Sequence, residues 1–157
     1  MHADGNPPSP AEVKDRHARL AAFGLLSLGA KYAVDAVAHF VDPAVARSLD
    51  YVGVALALGA VLMVIPMVYY KWRRLDRAGR RAFLSDDGFT ANTFKKAQLF
   101  SWSASMLVLV LFEVASDDVT GVPGRFYLQA ALAVMLVTFS VSFLILDRDP
   151  GGEGAHA

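Results

Sequence analysis

Cysteine is absent from the 157-residue chain, and with it go disulfides, thiolate metal sites, cysteine nucleophiles and dithiol redox chemistry. An excess of either charge is also missing. Fifteen lysines and arginines stand against 15 aspartates and glutamates, so net charge gives no support to nucleic acid as a partner. Histidine is sparse. Of His2, His17, His39 and His156, only His39 falls at membrane level, which leaves no pair for a bis-histidine haem within one chain. There is no glycine-rich phosphate loop, no His-Glu-x-x-His and no Gly-x-Ser-x-Gly elbow. No metal site and no cofactor are therefore expected.

Apolar residues are what the chain has in excess: 55% of the total, against about 45–50% in an ordinary soluble domain. They gather in four blocks, residues 20–41, 52–70, 97–115 and 126–146. At ~1.5 Å per residue each block can cross a ~30 Å hydrocarbon layer. Helix is the form that does so, because strand edges would leave amides unpaired in lipid. The sequence predicts an all-α integral membrane protein, a four-helix transmembrane bundle built from two antiparallel helical hairpins. The membrane domain covers residues 20–148, between a flexible N-terminal segment (1–19) carrying Pro7, Pro8 and Pro10 and a flexible tail (149–157) rich in glycine.

The first block differs from the others because it holds Lys31, Asp35 and His39. It reads either as a surface-lying amphipathic helix or as a span. The four-residue step favours a span: it confines the three polar residues to one stripe and leaves the remaining circumference apolar.

Orientation follows from the basic residues. Twelve of the 15 lie in the N-terminal segment (Lys14, Arg16, Arg19), the 71–96 stretch, or at Arg148, while only Arg47 and Arg125 lie in the other two connections. Positive residues stay on the cytoplasmic side, so both termini are expected there, in a bacterial-type inner (plasma) membrane. Tyr69, Tyr70 and Trp72 mark one interface, and Tyr51, Phe126 and Tyr127 the other. The pairs Gly29/Ala33 and Ala55/Gly59 have the small-xxx-small spacing that lets helices approach closely. Pro66 is expected to kink the second span.

Two sets of residues are candidates for function. The first is the polar group Lys31, Asp35, His39, Glu113 and Gln129, which falls in one half of the bundle. A lone charge at the bilayer centre costs at least ~2.5–3.5 kcal/mol, which pairing of Lys31 with Asp35 would offset in part. The set reads either as an ion pair fixing helix register or as a proton or cation site using Asp35 and Glu113. The second set is Arg73, Arg74, Arg77, Arg80 and Arg81, which can contact anionic lipid or simply set topology. Three functions remain open: a non-enzymatic accessory or structural component of a membrane complex, with other subunits or further copies of itself; a small oligomeric transporter or channel; and an enzyme acting on a lipid or quinone. The enzyme ranks last, because no nucleophile or metal set accompanies the carboxylates.

Overall fold

A computed structural model describes residues 10–73, 89–115 and 121–148. These form four helices: α1 (Pro10–Ala38), α2 (Pro43–Arg73), α3 (Phe89–Ala115) and α4 (Gly124–Arg148). All four are long and apolar enough to cross a membrane.

Three helices begin well before their apolar blocks: α1, α2, and α3, which starts at Phe89, eight residues before Ala97. α1 starts at Pro10, so residues 10–19, expected to be flexible, are helical. Proline suits the first helical position, where its missing amide costs nothing, and Ala11, Glu12, Lys14 and Arg16 are good helix formers. α2 starts at Pro43, nine residues before the apolar block at Val52. The Asp42–Pro43 step supplies the reason: the Asp42 carbonyl accepts from the Ala46 amide at 2.9 Å, opening the helix with proline just inside it. The link between α1 and α2 is therefore only four residues, 39–42. It begins with tight three-residue bonds, His39 N–H to the Ala36 carbonyl (3.4 Å) and Phe40 N–H to the Val37 carbonyl (3.0 Å), which close the end of α1. Helix α2 continues past Pro66 to Arg73.

The helices stand in the spatial order α2, α1, α4, α3. α1 packs against α2 and α4, and α3 packs against α4, whereas α2 and α3 barely meet. The interfaces are built from small residues at regular steps. On α3, Thr93, Ala97, Ser101 and Ser105 are all buried, every fourth residue. On α1, Ala22, Gly29 and Ala36 recur every seventh residue and are buried, as are Ala133, Ser140 and Asp147 on α4. A seven-residue step keeps one seam facing its neighbour, and small side chains let the backbones close up. Of the two small-residue pairs expected to pack, Gly29 and Gly59 face neighbouring helices while Ala33 and Ala55 are exposed.

The large apolar side chains point the other way. Leu58, Leu62, Leu99, Trp102, Leu111 and Leu128 are all exposed, and only 11–22% of the residues in each span are buried. In water such a surface would drive aggregation. In lipid it is the expected arrangement, because apolar side chains gain nothing by hiding from hydrocarbon and the interfaces go to whatever packs closest.

Each end of the row has its own cluster. Near the α1–α2 turn, Phe40 meets the Phe126 ring edge-on at 4.9 Å, and Phe112 and Tyr127 join them with centroids 5.2 Å apart. At the opposite end, Ala22, Ala97 and Phe143 form a buried core to which Phe139 adds its ring, stacked on Phe143 and edge-on to Phe94. Aromatic pairs of this kind contribute about 0.5–1.5 kcal/mol beyond area burial.

Serine hydroxyls stitch the pairs together. Ser27 Oγ donates to the Leu56 carbonyl across α1–α2 (2.7 Å), and Ser101 Oγ donates to the Met135 carbonyl across α3–α4 (2.6 Å). Ser105 and Ser140 instead donate to carbonyls four residues back in their own helices. The sequence suggests bonding within their own helices for Ser101, Ser105 and Ser140. Ser101 departs from it because the small-residue stripe brings the α4 backbone within its reach.

Candidate functional site

Lys31 and Asp35 lie on one stripe of α1 that His39 continues just past its end, and α2 passes across it. Lys31 Nζ forms an ion pair with Asp35 one turn on and lies 5.0 Å from the centre of the Tyr32 ring. Both charged side chains are partly exposed, Lys31 by 29% and Asp35 by 19%. The pair fits because α2 presents Gly53 opposite it. A Cβ there would lie 3.3 Å from Asp35 Oδ1 and 3.9 Å from Lys31 Cγ.

His39 Nε2 is 2.9 Å from Gln129 Oε1, a hydrogen bond between the end of α1 and the start of α4. With the amide oxygen as acceptor, the ring donates from Nε2. Lys31, Asp35, His39, Gln129 and Asp50 of α2 line a hollow of about 590 Å³ between the helices. Asp50 is exposed and pairs with no cation among the described residues. Below the polar end, the hollow continues along α2 over Val54, Ala57, Leu58 and Val61.

Glu113 does not line this hollow. It is exposed near the end of α3, engaged in contacts of its own, and α3 packs on α4 rather than on α1. The sequence places Glu113 at a depth comparable with Asp35. Depth leaves open which side of the bundle a residue faces. Among the described residues, no group of three or more histidines and carboxylates could hold a metal. Of the arginine set, Arg73 is the last residue of α2. Arg74, Arg77, Arg80 and Arg81 lie outside the described residues.

One ionic contact was hidden in the sequence. Arg19 of α1 reaches Asp147 of α4 at 2.5 Å, across 128 positions, with the Asp147 side chain only 7% exposed and Arg19 56% exposed. Hydropathy treats Asp147 as the residue just past the end of an apolar block, and nothing local names its partner. Because the arginine is largely solvated, the pair adds little by attraction alone. Its weight lies in what removal leaves behind, a buried carboxylate without a donor. Arg19→Gln is expected to lower stability by about 1–3 kcal/mol, read as an earlier unfolding midpoint in detergent. Arg16→Gln, at an exposed position on the same helix, should change it by less than about 0.5 kcal/mol.

Chemically, the hollow offers a cation held between a carboxylate and a ring, a second carboxylate near the turn, and an apolar floor. That set can bind and orient a charged amphiphile or fix helix register. It holds no nucleophile beside a base. Taken with the four apolar helices, it belongs to a small multipass membrane protein. No protein-family model matches the chain, and no match is found among curated proteins or solved structures.

Proposed function

We propose that the chain is a non-enzymatic component of a larger membrane assembly, with both termini on the cytoplasmic side and its helices paired as two antiparallel hairpins. The carrying observation is the open row. α2 and α3 stand at opposite edges and barely meet, so each keeps a long apolar flank on which another helix can pack, including Tyr51, Val52 and Leu62 on α2 and Leu99, Trp102 and Leu107 on α3. The basic residues gathered at the N-terminus, in the 71–96 stretch and at Arg148 support the orientation.

The test is purification of the tagged chain in mild detergent, with every companion identified and its stoichiometry measured. A stoichiometric membrane partner of different sequence is the expected result; a homo-oligomer that carries no other chain favours the small oligomeric transporter instead. A stable monomer that binds no other chain at native abundance overturns the proposal.

A further inference from the structure

The hollow between α1 and α2 is ordered along its length. Nearest the α1–α2 turn are Asp50, His39 and Gln129; deeper come Asp35 and Lys31; deeper still, only apolar residues remain. The levels follow from the helix contacts. Asp35 lies beside Gly53, and Ser27 beside Leu56 and Gly59, so the antiparallel register sets Asp50 near the level of His39 and Lys31 roughly two turns further in. From Asp50 to Val61 is 11 residues on one helix, roughly 16 Å at the helical rise.

From the turn inward, the lining runs from the Asp50 carboxylate, through the paired Asp35 carboxylate and Lys31 ammonium, to an apolar strip. A zwitterionic phospholipid in the adjacent leaflet presents the complement in the same order, an ammonium group outermost, then phosphate, then acyl chain. The geometry points to a single amine-bearing phospholipid, one with a phosphoethanolamine headgroup, as the occupant of this hollow. Its ammonium would face Asp50, its phosphate Lys31, and one acyl chain would run over Val54, Leu58 and Val61.

Charge favours this occupant over its relatives. Among the residues that line the hollow, Lys31 and Asp35 pair with each other, and Asp50 adds a second carboxylate near the turn. A purely anionic headgroup would meet that charge unfavourably. A trimethylated amine would satisfy it by attraction but could donate no hydrogen bond to the carboxylate. Lys31 keeps two of its three donors after pairing with Asp35, and its flexible stem lets the ammonium reach toward the headgroup level. The inference stands apart from the assembly proposed above, because a lone chain would present the same hollow.

The test uses the full chain reconstituted into bilayer discs holding equal amounts of phosphatidylethanolamine, phosphatidylglycerol and phosphatidylcholine, then extracted in mild detergent and weighed intact by native mass spectrometry. One retained phosphatidylethanolamine per chain is expected, with phosphatidylcholine and phosphatidylglycerol each retained about tenfold less, the change expected for one charge-assisted hydrogen bond. Asp50→Asn, at an exposed position without a cation partner among the described residues, should cut phosphatidylethanolamine retention about tenfold and leave the thermal unfolding midpoint in place. Leu58→Trp, which fills the apolar floor from an exposed position, should do the same while keeping the helical content. Equal retention of the three lipids, or unchanged retention in both variants, overturns the inference. So does a stoichiometric partner chain that protects Asp50 and Leu58 from labelling while no lipid is carried.

Discussion

Replacing Gly29 with valine is expected to destabilise the α1–α4 interface more than any other single change at a small-residue position, by about 1–3 kcal/mol. A Cβ at Gly29 would lie 2.9 Å from Val137 Cγ2, 3.1 Å from Leu136 Cβ and 3.1 Å from the Val137 backbone nitrogen. The first atom belongs to a side chain and can shift. The backbone nitrogen belongs to α4, which is also held by α3, so the two central helices would have to move apart. Alanine is the milder probe, because its better helix propensity, worth about 0.8–1 kcal/mol over glycine, offsets part of the clash. Valine adds two methyl groups and a stiff χ1 without that compensation. The measurement is equilibrium unfolding of the full chain in mixed micelles as the denaturing detergent fraction rises. Ala33→Val, one turn further on and exposed, is the control and should move the midpoint little. Adding Val137→Ala to Gly29→Val should recover only part of the loss, since the contacts with Leu136 and the backbone remain. Full stability in Gly29→Val would mean that α1 and α4 do not meet at this point.

That interface shows how far the sequence could be read. Hydropathy located all four helices, because lipid demands a long apolar run wherever a chain crosses it. It did not give the starts of the helices, which precede the apolar blocks in α1, α2 and α3, because hydropathy reports where lipid lies and says little of where backbone hydrogen bonding begins. Pro10 and the Asp42–Pro43 step carried that second kind of information. The partners of each helix were less legible. Thr93, Ala97, Ser101 and Ser105 mark a packing stripe by their spacing, yet nothing in the spacing says that α4 rather than α2 covers it. The same gap separates Glu113 from Asp35, which share a depth but stand on helices that both pack against α4 and not against each other. Gly53 and Asp147 gain their roles only from residues on other helices, so no local pattern could have assigned them.

The ion pair at Lys31 and Asp35 separates register from recognition through the order in which its members are removed. Lys31→Met should be the more damaging single change, lowering stability by about 2–3 kcal/mol, near the insertion cost of a charge in the hydrocarbon. It strands a short carboxylate that faces Gly53 and cannot reach the interface. Asp35→Asn should cost only about 1 kcal/mol, because the lysine it strands has a four-carbon stem and can extend toward the headgroups. Replacing both, as Lys31→Met with Asp35→Leu, should restore most of the stability or exceed it, since a buried pair often does no better than well-packed apolar residues of similar size. Unfolding midpoints of the two single variants and the double variant, combined as a thermodynamic cycle, give the coupling directly. The decisive reading comes from the double variant. If it folds as well as the parent and still joins its partners with phosphatidylethanolamine bound, the pair serves helix packing alone. If it folds as well as the parent and loses the lipid, the charges are kept for recognition, because stability by itself would be met by methionine and leucine.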